Sequence, residues 1–237
     1  MLQILCLIPA RSGSKGITDK NIKLFANQPL LSWSIIQAQQ SKYANQMRII
    51  VSTDSEEYQK IALQYGAEVP CLRPNEISED HSTDKEFIKH VLTELKLTNY
   101  EPDIILQLRP TYPLRKVSIL DECLEIFIKN RNEYDSLRTI VPFSKSPYKM
   151  YTMSNNLLKP LFRDIEIQGK LVSEPYNECR QYLPETYLHN GYIDILNSSL
   201  LQNNLISGNN IYGYLMSEEE IHDIDTIEDW NKCEKLI

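Results

Sequence analysis

Residues 8–21 read IPARSGSKGITDKN and concentrate anion-binding chemistry directly behind an apolar run. Gly13 and Gly16 can take positive φ and let the backbone approach a ligand closely, so that successive N–H groups form an anion-binding concavity. Ser12 and Ser14 add hydroxyl donors, and Arg11, Lys15 and Lys20 add charge. This set suits a polyphosphate, and in a chain of net charge −7 the attraction has to be local. A solvated basic turn is the alternative reading of the same composition. Two common phosphate loops do not fit: Lys15 precedes Gly16, so there is no GxxxxGKS or GxxxxGKT, and GxGxxG is absent.

A loop of this kind works where it leaves the carboxyl end of a parallel strand. Short apolar, β-branched runs at 2–9, 47–53, 67–73, 103–109 and 136–143 predict strands. Stretches at about 29–42, 55–65, 83–97 and 117–131 carry apolar residues at three- and four-residue spacing and predict helices between them. Alternating strands and helices with near-continuously apolar strands imply an α/β fold, a doubly wound and mainly parallel sheet buried on both faces. Ser55 or Asp54 can cap the second helix, with Glu57 completing a capping box on Asp54, and Gly66 ends it. From about 144 to 186 the pattern breaks into prolines, glycines and tyrosines, which reads as an inserted arm that buries apolar surface against a second subunit. Strands at 187–196 and 210–216 and a closing helix at 226–237 follow, so 1–237 is expected to be one domain with an insertion.

Composition narrows the function. The chain has 237 residues, 42% hydrophobic and 24% charged, enough for one sizeable core. Its acidic balance argues against a nucleic-acid partner. No run approaches the roughly 20 apolar residues that span a bilayer, and the opening MLQILCLIPA has no basic start or cleavage site, so a cytoplasmic protein is expected. Cys6, Cys71, Cys123, Cys179 and Cys233 show no CxxC spacing, which predicts free thiols with Cys6 and Cys123 buried.

IPARSGSKGITDKN resembles the signature of sugar-activating cytidylyltransferases, especially the acylneuraminate (CMP-sialic acid) synthetases. The resemblance continues in order through VSTDSEEY, LRPNEIS, RPTYPLR, ECRQYLP, HNGYIDIL and DIDTIEDW, over nearly the whole chain. It implies a Rossmann-like nucleotidyltransferase fold and a homodimer. It also implies transfer of CMP from CTP to the anomeric hydroxyl of a nine-carbon keto acid (neuraminate, legionaminate or a relative), with release of pyrophosphate.

By that resemblance Arg11, Ser12, Gly13, Ser14, Lys15, Gly16 and Lys20 would hold the triphosphate. Asn21 would lie near the ribose or phosphates, and Arg73 would recognise cytosine or, alternatively, be an exposed arginine at a strand end. Asp223 and Asp225 lie two apart in HDID, share a face of an extended segment and would bind Mg²⁺, a hard cation suited to oxygen ligands. Without the resemblance, Asp225 and Glu228 read as a capping box for the last helix. Arg11, Lys20, Asp223 and Asp225 are thus the expected catalytic set. Arg109, Thr111 and Tyr112 fall at the sugar end. There the sialate-specific members have Gln-Pro-Thr-Ser-Pro-Leu-Arg, so Arg109 and Tyr112 replace a glutamine and a serine, and a strand-end salt bridge is the other reading of Arg109. Lys149 and Arg180 match basic positions of the family's dimer arm, where either the sugar carboxylate or acids in the interface would pair with them. Asn190 and Gly191 match a segment bordering the sugar pocket. A shorter substrate such as Kdo, or a non-catalytic relative, is the alternative, and retention of Arg11, Lys15, Lys20, Asp223 and Asp225 argues against the latter.

Overall fold

The computed structural model describes residues 2–237. The first half of the chain forms β1 (Ile4–Pro9), the short hairpin β2 (Leu24–Phe25) and β3 (Gln28–Pro29), α1 (Leu30–Gln40), β4 (Met47–Ser52) and α2 (Glu56–Gln64). It continues through α3 (Asp84–Lys96), β5 (Ile104–Gln107), α4 (Val117–Lys129) and β6 (Ser136–Pro142). Two hairpins follow, β7 (Tyr151–Ser154) with β8 (Leu157–Pro160) and β9 (Ile165–Ile167) with β10 (Lys170–Val172). β11 (Tyr187–Asn197), β12 (Ile211–Leu215) and α5 (Ile227–Glu234) complete the chain.

Six strands make one sheet in the order β12-β6-β11-β5-β1-β4. β1 is parallel to both β4 and β5, and β11 runs antiparallel to β5. Every residue from Ile4 to Ile8 is fully buried, which requires cover on both faces of the sheet because successive side chains alternate. On one face α3 sets Phe87, Ile88, Val91 and Leu95, at helical spacing, against Leu5, Leu7, Ile50 and Ile105. Each such side chain contributes about 1.5–3 kcal/mol by leaving water. α1 takes no part in that cluster and contacts β1, β4, α2 and α4.

The four helices expected between 29 and 131 form as α1 to α4. The strand expected at 67–73 does not: Glu68 alone bridges to Ile50, and Pro70 brings no N–H to extend the ladder. Ser55, not Asp54, caps α2, accepting from the Tyr58 N–H at 3.4 Å, and Gly66 (φ +85) closes the same helix. α5 is capped by Thr226 with Asp229 in a reciprocal box, so the expected pairing of Asp225 with Glu228 is replaced by one residue's shift. That shift leaves the Asp225 carboxylate out of the cap. All five cysteines are free, with Cys6 and Cys123 buried.

The chain divides into two compact units, one running to Thr139 with Gly191–Tyr214 and Glu219–Ile237, the other Ile140–Asn190 with Leu215–Glu218. The irregular stretch at 144–186 lies within the second. That unit buries Ile167 and Leu183 but leaves Met153, Leu157, Leu158 and Leu171 more than 60% exposed.

Candidate functional site

The loop after β1 is fixed at both ends. The Ala10 N–H donates to the Ser52 carbonyl at 2.9 Å, which ties the loop's first residue to the end of β4. The buried Asn21 side chain donates to the Arg11 carbonyl at 3.0 Å, and the Asn21 backbone carbonyl accepts from the Leu31 N–H at 2.8 Å. Gly13 takes φ +70 in open space. Gly16 answers a different need: a Cβ there would stand 2.4 Å from the Asp225 carbonyl oxygen. Ser12 departs from its expected place in the anion grip. Both its N–H (2.7 Å) and its hydroxyl (2.5 Å) donate to Asp54, because Asp54 is not used as a helix cap.

The loop borders a cavity of about 610 Å³ within the first unit, beyond the carboxyl ends of β1 and β5, a size suited to a nucleotide-scale ligand. Arg11, Ser14, Lys15, Gly16, Lys20 and Asn21 line one side of it. Arg73, Arg109, Thr111 and Asp225 join them from three other segments. Lys20, only 12% exposed at its side chain, donates to the Ile224 carbonyl (2.8 Å) and to Asp225 (2.9 Å).

Four polar residues of the same cavity, Glu79, Asp80, Ser82 and Asp84, were not anticipated. Asp80 bridges the loop's cations, one oxygen to Arg11 at 2.7 Å and the other to Lys15. These hydrogen bonds hold its carboxyl below the ordinary range. The signal was the acid-rich run SEDHSTD just past Arg73, where carboxylates can balance the loop's charge.

Arg73 is buried rather than exposed at a strand end. It donates to the Ser52 hydroxyl (3.0 Å) and carbonyl (2.7 Å), with its guanidinium 4.7 Å above the Phe87 ring. Burial pushes its pKa down to about 10, which still leaves it cationic at neutral pH. Arg109 is clamped between Asp194 (2.5 Å) and Asp84 (2.8 Å) and also reaches the Gly191 carbonyl at 3.2 Å. Burial alone would lower its pKa, but the two carboxylates outweigh it and hold the group above its ordinary value. Gly191 (φ +72) allows this approach, since a Cβ would meet the Arg109 guanidinium at 3.0 Å.

Of HDID, Asp225 lines the cavity, whereas Asp223 is half-buried and is not among the lining residues. Ile224 is fully buried beside Ile17, Phe25 and Trp230, and its N–H donates to the Thr111 carbonyl at 2.9 Å. Asp225 faces outward into the cavity, 71% exposed. Asp223 is raised by burial and by the neighbouring Asp225, against hydrogen bonds from Thr111 and Tyr112. Its Oδ1 is buried with no partner among the described residues. Tyr112, expected at the sugar, is instead 2% exposed and turned to Asp223, because its ring belongs to the core.

Lys149, Arg180 and Asn190 lie in the second unit. Lys149 is occupied by the Tyr176 (3.1 Å) and Glu178 (2.5 Å) carbonyls. Arg180 is exposed, and Asn190 makes a weak hydrogen bond to the Met216 sulfur at 3.7 Å. Among the described residues no group of three or more His, Cys, Asp or Glu is placed to hold a metal, and no helix is long and apolar enough to cross a membrane.

Comparison with known proteins gives a consistent picture. The sequence profile of the family described as cytidylyltransferase matches residues 5–166. The chain is 35% identical to post-translational flagellin modification protein B of Campylobacter coli, over all of this chain and 96% of that one. It is 34% identical to CMP-N,N'-diacetyllegionaminic acid synthase of Legionella pneumophila, over all of this chain and 97% of that one. Among solved structures, CMP:2-keto-3-deoxy-manno-octonic acid synthetase complexed with CTP superposes with a TM-score of 0.69, covering 99% of this chain and 98% of that one at 16% identity, a likeness of fold.

Proposed function

The chain belongs to the cytidylyltransferase family, and from that premise we propose that it transfers CMP from CTP to the anomeric hydroxyl of a nonulosonate of the legionaminate or neuraminate type, releasing pyrophosphate. The observation that carries the reading is the convergence of Arg11, Lys15, Lys20, Arg73 and Asp225 on one cavity at the carboxyl ends of parallel strands. Arg11, Lys15, Lys20 and the N–H groups around Ser14 and Gly16 grip the triphosphate. Their charge acts most strongly on the pyrophosphate as it leaves, where negative charge accumulates. Arg73, held in position by Ser52 and Phe87, presents a cation to the base.

The residues present fit a divalent cation. A buried carboxylate oxygen without a partner is costly, and the orphaned Oδ1 of Asp223, with Asp225 close by, is an oxygen donor set of the kind Mg²⁺ takes alongside substrate phosphates. Mg²⁺ held by Asp223 and Asp225 would neutralise the α-phosphate and make the sugar hydroxyl more acidic. Lys20, hydrogen-bonded to Asp225, keeps that carboxylate oriented until substrate arrives.

The first unit also sets the sugar end. Arg109 is committed to Asp84 and Asp194, so its guanidinium is a fixed wall of the cavity rather than a swinging carboxylate hook. Lys149 and Arg180 remain candidates for acidic groups contributed across a dimer. The exposed Met153, Leu157, Leu158 and Leu171 supply apolar surface for such a dimer. The test is pyrophosphate release with CTP and Mg²⁺ over a panel of N-acetylneuraminate, N,N'-diacetyllegionaminate, pseudaminate and Kdo. Release with a nine-carbon acid supports the reading, and release with Kdo alone, or with none of the four, rejects it.

A further inference from the structure

Tyr112 has no task in the chemistry above, yet its phenol is directed at one of the two proposed metal ligands. We propose that Tyr112 is a positioning residue: its hydroxyl holds one oxygen of Asp223 so that the other is presented to the divalent cation. This rests on the reading of Asp223 and Asp225 as metal ligands. Asp223 lies in a segment with no regular secondary structure, anchored through Ile224 by one hydrogen bond to Thr111 and by apolar packing. Those anchors fix the backbone but leave the carboxylate's own torsions open. Tyr112, with Thr111, supplies the missing restraint by hydrogen bonding to that carboxylate.

The remaining oxygen, Oδ1, is the buried one without a partner among the described residues. A carboxylate held by a hydrogen bond on one oxygen and bare on the other is the arrangement a ligating carboxylate takes with its supporting partner in place. The ring that carries the phenol is packed in the core. It stands edge-on to Tyr192 at 5.2 Å and 72°, and the buried Arg115 guanidinium lies 5.7 Å from one ring and 5.4 Å from the other. Tyr192 in turn accepts from the Lys116 N–H at 2.6 Å. Ring packing therefore ties the phenol beside Asp223 to β11 through Tyr192. At 2% exposure and outside the cavity wall, Tyr112 has no surface with which to read a sugar.

The experiment uses Mn²⁺ as the probe. Water-proton relaxation of Mn²⁺ with CTP reports metal held in the ternary complex with the whole protein, without turnover because no sugar is present. Tyr112→Phe keeps the ring and removes the hydroxyl, and it is expected to weaken Mn²⁺ binding about 10- to 100-fold, with CTP binding in EDTA unchanged. Asp223→Asn separates the two ideas. If Asp223→Asn leaves Mn²⁺ binding at the wild-type level, the metal assignment itself fails. If Asp223→Asn loses Mn²⁺ while Tyr112→Phe binds it as the wild type does, the role of Tyr112 fails alone. A crystal structure of the wild type with Mn²⁺ and CTP is the second measurement and stands even if Tyr112→Phe folds poorly. The phenol must lie within hydrogen-bond distance of the Asp223 oxygen opposite the metal, and any other partner for that phenol overturns the proposal.

Discussion

Replacing Gly16 by alanine tests whether the phosphate loop and the acidic segment must touch. A Cβ at position 16 would sit 2.4 Å from the Asp225 carbonyl oxygen. Carbon and carbonyl oxygen approach to about 3.3 Å, so the two segments must separate by roughly 0.9 Å. The oxygen is backbone, held beside Ile224, whose N–H is bonded to Thr111 and whose side chain is in the core, so the loop is the part that gives way. Lys20 bridges the same two segments and its bonds of 2.8 and 2.9 Å lengthen with the shift. A misplacement of about 1 Å costs on the order of 10²-fold in rate. The assay is steady-state pyrophosphate release, with thermal unfolding alongside. Gly13→Ala is the internal control: its φ of +70 strains an alanine, but nothing lies within 4 Å of the new carbon. Gly13→Ala should therefore cost about 1 kcal/mol of stability and far less activity than Gly16→Ala. Equal activity in the two variants would refute the argument that the Gly16 contact aligns the site.

Other consequences follow from named contacts. Lys20→Ala should lower turnover by about 10²–10³-fold, with little change in melting temperature, and near-normal turnover would remove Lys20 from the site. Asp80→Asn should tighten pyrophosphate binding a few-fold in calorimetry, because the carboxylate bridging Arg11 and Lys15 competes with any incoming anion; weaker binding would mean that Asp80 positions those cations instead. Asp229, hydrogen-bonded by the Thr226 hydroxyl and N–H, has its pKa lowered in the folded state. Its stabilisation is full above the ordinary carboxylate pKa and is lost as pH falls through the lowered one. Melting temperatures of wild type and Asp229→Asn should thus converge on acidification, and a gap that persists at low pH would contradict the cap.

Much of the scaffold was legible because its signals are local. Three- and four-residue apolar spacing announced α1 to α4, and near-continuous apolar runs announced β1, β4 and β5. The loop at 8–21 was legible because glycine, hydroxyl and cation crowd one strand end. What escaped depends on partners far apart in the chain. Asp54 looked like a cap until the fold brought Ser12 to it, 42 residues away. Without the family resemblance, Asp225 and Glu228 read as a cap because Thr226 and Asp229 offer the same spacing one residue on. Asp80 and Asp84 announce themselves only as part of an acid-rich run, and their place in the cavity follows from the course of the chain between Arg73 and α3. The family resemblance puts Tyr112 at the sugar end in place of a serine, whereas its ring packs in the core against Tyr192.

Nucleotidyl transfer at the α-phosphorus of CTP is directly visible by phosphorus NMR. With CTP, Mg²⁺ and N,N'-diacetyllegionaminate, the triphosphate signals should give way to pyrophosphate and a new sugar-linked phosphodiester in equal amounts. CDP with orthophosphate, or an unchanged spectrum while CTP is bound, would contradict it.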